Sequence, residues 1–164
     1  MPMLVSGLLA GLILGLAAGG DWRNLAKLDL KLWPALLAGV AARTAAPLLG
    51  GLALSASIAG LLLVALVGIV NRAVSGAWLV GLGALLNSVV TFVNAGMPVD
   101  PGALALSGKA PPADGLHVIL GPDTRLPFLA DVLLIPVINN IYSIGDVVLA
   151  IGGFWMVFRL VRSR

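Results

Sequence analysis

The chain has 164 residues, 60% of them hydrophobic and only 10% charged, with a mean hydropathy of +1.08 and a formal net charge of +3. A soluble domain is usually about 45–50% apolar and about 25% charged, so this composition excludes a chain that covers itself with polar surface. It points to one all-α domain embedded in lipid; the absence of Cys excludes disulfides and thiolate chemistry, and the absence of Glu leaves any carboxylate chemistry to seven Asp.

Five apolar stretches approach the roughly 17–25 residues that a spanning helix needs. They are residues 3–19, 32–49, 52–70, 77–95 and 144–161, with a long loop over 96–143. In the first, Ala17-Ala18-Gly19 has the look of a cleavage site, but Met1-Pro2-Met3 carries no positive charge and the cations follow the segment instead. It reads as an uncleaved helix. Gly7, Gly11, Gly15 and Gly19 repeat every four residues along it, a stripe that lets another backbone approach closely. That stripe suits packing inside the chain or contact with another subunit.

The second stretch carries Pro34, Arg43 and Pro47, and Gly50-Gly51 turns it into the third. Arg43 either snorkels to an interface or neutralises a buried Asp. On the fourth, Asn87, Thr91 and Asn94 share a face at its far end. Polar groups left against lipid go unsatisfied, so these three should face the bundle or the loop, as interhelical hydrogen bonds or as one wall of a pocket.

In the loop, Pro101, Pro111, Pro112 and Gly115 predict irregular backbone to about residue 116. Asp123 is placed to cap a short helix starting near Thr124. Val132 to Ile138 is apolar but too short to span, and should dip into the interface or cover helix ends; Asn139-Asn140 is turn chemistry. Leu116, Ile119, Leu126, Phe128 and Leu133 favour an ordered loop. Ser143-x-x-Asp146 has capping-box spacing at the start of the fifth helix. Asp131 has Arg125 or His117 as a candidate ion-pair partner. Asp131 and Asp146 should lie at similar depth, where partial burial would raise a carboxyl pKa and make an acid/base pair.

Charge gives the sidedness. Arg23, Lys27, Lys31, Arg72, Arg159, Arg162 and Arg164 share one face if the helices number five, whereas five of the seven Asp lie between Asp100 and Asp146. The positive-inside rule then places the N-terminus and the 96–143 loop outside a cytoplasmic membrane and the C-terminus inside. The pI of about 10.0 does not indicate nucleic acid, because the cations flank apolar segments rather than form a patch. With one His, no paired-His spacing, no Walker loop, no GxGxxG and no GxSxG, neither metal nor cofactor is expected.

Asn94-Ala95-Gly96-Met97-Pro98-Val99, then His117, then Thr124-Arg125-Leu126-Pro127-Phe128-Leu129-Ala130-Asp131, then Ser143-Ile144-Gly145-Asp146-Val147-Val148-Leu149 resemble, in order, the motifs of a family of small multi-pass bacterial membrane proteins known as a domain of unknown function. The resemblance implies a bacterial cytoplasmic-membrane protein and no activity. It points to Asn94, Met97, Pro98, His117, Arg125, Asp131, Ser143, Gly145 and Asp146 as one site. Ala95 stands where a second Gly is common. A looser likeness is to lipoprotein signal peptidase, a membrane aspartyl protease, through Phe128-Leu129-Ala130-Asp131. Leu129 replaces the Asn of that motif, and the N-x-x-D-R motif is missing.

Three functions fit. The first is a binding or accessory subunit that uses the ordered outer loop, with Asn87, Thr91, Asn94, Met97, His117, Arg125 and Ser143 as binding residues. The second is an interface enzyme, a hydrolase or peptidase on a lipid-linked or membrane-peptide substrate, with Asp131 and Asp146 as acid and base. A transporter is the weakest, since a coupled pathway needs more intramembrane charge. The expected partners are the lipid bilayer and, through the glycine stripe, other membrane subunits.

Overall fold

The computed structural model describes residues 2–163. The body is built from α1 (Pro2–Ala17), α2 (Trp33–Ala45), α3 (Ala53–Val70), α4 (Ala77–Val93) and α6 (Ile144–Val161); a short α5 (Pro101–Ser107) lies in the loop before α6. The long helices pack in the spatial order α1, α6, α4, α3, α2, so the last helix sits between the first and the fourth.

Every seam in that row is set by missing side chains. A Cβ on Gly11 would stand 2.5 Å from the Phe154 carbonyl oxygen of α6, and one on Gly7 would overlap that of Ala150. Gly39 and Gly60 face each other between α2 and α3, where added Cβ atoms would lie 2.8 and 2.6 Å from the opposing carbonyl oxygens. Gly68 meets Gly81 between α3 and α4, and Gly83 meets Gly145 between α4 and α6. Backbone-to-backbone approach of this kind is how helices associate where no hydrophobic effect drives them together. The expected glycine stripe thus meets α6 within the chain at Gly7, Gly11 and Gly15. Gly19 lies beyond the helix, which ends at Ala17 because Gly19 turns left-handed at φ 82°.

Two segments, Gly50–Val70 and Ile144–Val161, are long and apolar enough to cross a membrane; α1 and α4 are shorter apolar helices. Only 44% and 33% of the two apolar windows are buried within the protein, and Leu9, Ile13, Leu66, Phe92 and Trp155 are exposed on the outer faces. The expected helix over 32–49 is shorter. It stops at Ala45, and 3-10 turns follow over Ala46–Leu48 and Gly50–Leu52, because Pro47 removes a donor and Gly50 adopts φ 51°.

One end of the bundle is tied by backbone and amide contacts. The Asp21 amide and the Asn24 side chain both donate to the Val161 carbonyl, and Lys31 and Asn71 exchange two hydrogen bonds of 2.9 Å. Arg23, Lys27, Lys31, Arg72, Arg159 and Arg162 gather there.

At the other end residues 94–143 form a small cap. Strand β1 (Met97–Val99) runs parallel to β2 (His117–Ile119), with Met97 opposite His117, and Val99 bridges to Asp131. Strand β3 (Leu133–Ile135) is antiparallel to β4 (Asn140–Tyr142). The backbone expected to be irregular up to residue 116 therefore contains β1 and α5, whose first turn is capped by Asp100 accepting the Ala103 amide at 2.7 Å. The short helix expected near Thr124 is instead a 3-10 turn over Pro127–Leu129. The Thr124 hydroxyl accepts the Gly121 amide, and Leu126 sits left-handed at φ 53°. Val132 to Ile138 is a strand followed by a 3-10 turn, and Asn139, at φ 44°, closes the hairpin. Ala95, at φ 53°, is also left-handed. That conformation costs a non-glycine residue about 1–2 kcal/mol, which explains why glycine suits the position.

Candidate functional site

A cavity of about 250 Å3 lies where the cap meets the bundle. All five long helices reach it: Pro2 from α1, Arg43 from α2, Ser57 and Leu61 from α3, Asn87 and Thr91 from α4, Asp146 and Leu149 from α6. The cap adds Met97, Leu116, His117, Asp131, Asn140, Ile141 and Tyr142.

Helix α6 begins with the capping box expected from Ser143-x-x-Asp146. The Asp146 amide donates to Ser143 Oγ at 3.0 Å, and the Ser143 amide donates to Asp146 Oδ2 at 3.3 Å. Asn87 of α4 locks this cap from the side. Its Nδ2 donates to Asp146 Oδ1 at 3.0 Å and its Oδ1 accepts the Ser143 hydroxyl at 2.9 Å. Ser143 is fully buried, so its role is to position Asn87 and Asp146. Gly145 lets α4 come this close, since a Cβ there would overlap the Asn87 amide oxygen.

Asp131 is held through its backbone: its amide donates to the Pro98 carbonyl at 2.8 Å and its carbonyl accepts from the Asp100 amide at 3.0 Å. Among the described residues its carboxyl Oδ1 is buried without a hydrogen-bond partner, as is the Tyr142 hydroxyl. Burial pushes the Asp131 carboxyl up to about 8, and the neighbouring Asp146 charge adds to the rise, while Arg43 only partly offsets it. Among the described residues no ion pair joins Asp131 to Arg125 or His117. The partner expected for it is taken elsewhere: His117 Nδ1 lies 2.7 Å from Asp114 Oδ2, and Asp114 Oδ1 also accepts the Leu116 and His117 amides. Burial raises the Asp114 pKa, but the Leu116 and His117 amides and the His117 ring outweigh it and hold this carboxylate below its ordinary range. Among the described residues His117 Nε2 makes no hydrogen bond.

The structure therefore brings Asp131, Asp146, Asn87, Thr91, Met97 and His117 to one cavity. Thr91 faces Met97, its hydroxyl 3.6 Å from the sulfur. Asn94 and Arg125 lie apart from it. The Asn94 amide group clamps the Arg125 backbone through two bonds of 2.8 Å, and the Arg125 side chain is exposed. Sequence reasoning missed Ser57, Asn140, Tyr142 and Asp114. Tyr142 is the only tyrosine, and Asp114 stands three residues before the only histidine; both signals were available.

These features define a mostly helical protein, with two helices able to cross a membrane, whose polar cavity lies under a small α/β cap. Over residues 27–158 the chain matches the model of a family of unknown function, DUF5317, and it belongs to that family. No curated protein and no solved structure matches it.

Proposed function

We propose that this is a multi-pass cytoplasmic-membrane protein that binds a polar ligand in the cavity beneath an extracytoplasmic cap, and so acts as a binding or accessory subunit. The carrying observation is the pair of buried, unpartnered polar atoms, Asp131 Oδ1 and Tyr142 OH, both on residues that line the cavity. Buried polar groups are nearly always paired, and an orphaned one costs about 1–3 kcal/mol. A ligand site is where a fold keeps such groups for a partner. Membrane embedding is supported by the exposed apolar helix faces, and the orientation by the cationic end opposite the acidic cap.

Filling the cavity tests the binding function. Ser57 is 2% exposed, lines the cavity and makes no side-chain hydrogen bond among the described residues, so Ser57→Leu should leave the fold intact. Wild-type protein purified in mild detergent is expected to carry a stoichiometric small-molecule component, visible by mass spectrometry, which Ser57→Leu loses by about tenfold. Equal retention by both proteins would remove the cavity from the function.

The absence of cysteine makes sidedness directly measurable. In intact cells Lys109→Cys is expected to react with a membrane-impermeant maleimide, and Ser163→Cys only after permeabilisation. The opposite pattern would invert the topology and put the cavity on the cytoplasmic side.

One observation favours the enzymatic reading: two carboxyls share the cavity in different settings. Asp131 keeps its proton to about pH 8. Asp146 is arranged as an acceptor, of the Asn87 amide and the Ser143 amide. In a hydrolase Asp131 would protonate the leaving group and Asp146 would take the proton of an attacking water.

A further inference from the structure

We infer that the ligand is a zwitterionic phospholipid headgroup, an aminoalkyl phosphate, whose phosphate is held by Arg43 and Tyr142 and whose ammonium is held by Asp146. This rests on the reading of the cavity as a binding site and specifies the chemistry of its occupant.

The charges of the cavity argue for a zwitterion. Arg43 and Asp146 line the same space, yet among the described residues neither forms an ion pair within the protein. Neither charge is neutralised by the other, Asp146 having only its two hydrogen bonds, and a half-buried charge is costly until paired. A ligand of one sign would satisfy one of them and leave the other. A ligand carrying both signs satisfies each.

The donors sort the same way. Arg43 presents a guanidinium fork, which suits a phosphate better than a point charge would. Among the described residues the Tyr142 hydroxyl has no partner, and it can donate to a phosphate oxygen. Asp131, protonated below about pH 8, adds a second neutral donor rather than a repelling charge. Each Asp146 oxygen accepts one hydrogen bond, from Asn87 or from the Ser143 amide, and retains a second lone pair for an ammonium.

The bundle below the cavity favours a lipid over a free headgroup. A second, mainly apolar recess of about 50 Å3 is lined by Leu36, Val64, Val80 and Met156, and by Leu30 and Asn71 from the cationic end of the bundle. Leu36 lies seven residues before Arg43, Val80 seven before Asn87, and Met156 seven after Leu149. Seven residues are close to two helical turns, about 10 Å along the same face. The two recesses therefore lie along the same faces of α2, α4 and α6, the polar one under the cap and the apolar one nearer the cationic end.

The test reconstitutes the full chain in vesicles of equal parts phosphatidylethanolamine and phosphatidylglycerol, re-extracts it in mild detergent and counts bound lipid by native mass spectrometry. Phosphatidylethanolamine should be retained over phosphatidylglycerol by about tenfold or more. Arg43→Gln should lower that retention by about tenfold, and Arg43→Lys by less, because it keeps the charge and loses the fork. Tyr142→Phe deletes one unpartnered hydroxyl without touching a hydrogen bond of the fold, and should lower retention severalfold. Free O-phosphoethanolamine, titrated by calorimetry, should bind at least about tenfold more weakly than the lipid.

Equal retention of the two lipids, or wild-type retention by both Arg43→Gln and Tyr142→Phe, overturns the zwitterion while a Ser57→Leu loss keeps the binding reading alive. Free phosphoethanolamine binding as tightly as the lipid overturns the lipid assignment. No retained lipid and no heat with the free headgroup overturns the inference, and the binding reading falls with it only if wild type and Ser57→Leu also carry the same co-purifying component.

Discussion

Replacing Asp131 with Asn is expected to stabilise the protein at pH 8 by on the order of 2–4 kcal/mol relative to wild type, and to change little at pH 4. The sign follows from where the proton sits. In the unfolded chain this carboxyl titrates near 3.8, and in the folded protein near 8. Below pH 4 both states hold the proton and the residue is silent. Between pH 4 and 8 the unfolded chain releases it while the folded protein keeps it, so stability falls as pH rises, by up to about 1.4 kcal/mol per unit. Above pH 8 the loss is complete. Of the charged groups acting on it, Asp146 deepens the loss, and Arg43 and the N-terminal ammonium limit it. Four tryptophans make fluorescence melts in detergent a practical readout. The wild-type melting temperature should drop by several degrees from pH 5 to pH 8, and that of Asp131→Asn should stay level. A level wild-type profile would mean that this carboxyl is hydrated or paired, and the site would lose its unpartnered group. The same variant separates the two functional readings: Asn keeps the shape and a donor, so a binding protein retains its ligand, whereas an acid/base enzyme loses its proton source and its turnover.

How much of this was legible beforehand depends on the kind of signal. The long helices follow from apolar runs, and their ends move by only a few residues where a backbone feature intervenes, such as Gly19 turning left-handed or Pro47 ending α2 early. The spatial order of the helices leaves no trace in any one helix, because each glycine pair that seams a contact looks locally like any other small residue. The cap was harder still. Its strands are three residues long, too short to show alternation, and β1 and β2 pair across nearly twenty residues of intervening chain. For the site, the capping box at Ser143 and Asp146 and the inward face of Asn87 and Thr91 were readable, since spacing on a helix fixes direction. Of the loop residues named, Met97, His117 and Asp131 do line the cavity, and others do not. Arg125 and Asn94 resemble site residues by type, yet Asn94 is spent on the Arg125 backbone. Tyr142 and Asp131 reach the cavity only through the register of the cap strands, which no local pattern encodes.

The largest packing effect should come from the smallest substitution, Gly145→Ala. The added methyl would overlap Asn87 Oδ1 and stand 3.0 Å from the Gly83 carbonyl oxygen, so either the Asn87 side chain must swing away or α4 and α6 must separate. Neither comes cheaply. Swinging Asn87 breaks its bonds to Asp146 and Ser143, both in a largely buried setting, and separating the helices disturbs a seam that continues to Gly152 against Gly76. Overpacking of this kind costs about 1–3 kcal/mol, and the lost hydrogen bonds bring the expected total to about 2–4 kcal/mol. Asn87→Ala alone should cost about 1–2 kcal/mol, by leaving Asp146 and Ser143 each short of a partner. In the double variant the clash with Oδ1 is gone, so the two changes should be less than additive by about 1–2 kcal/mol. The residual cost then reports the Gly83 carbonyl contact. Strict additivity in the same melts would show that Gly145 and Asn87 do not meet, and the side-on lock that aims Asp146 into the cavity would have to be abandoned.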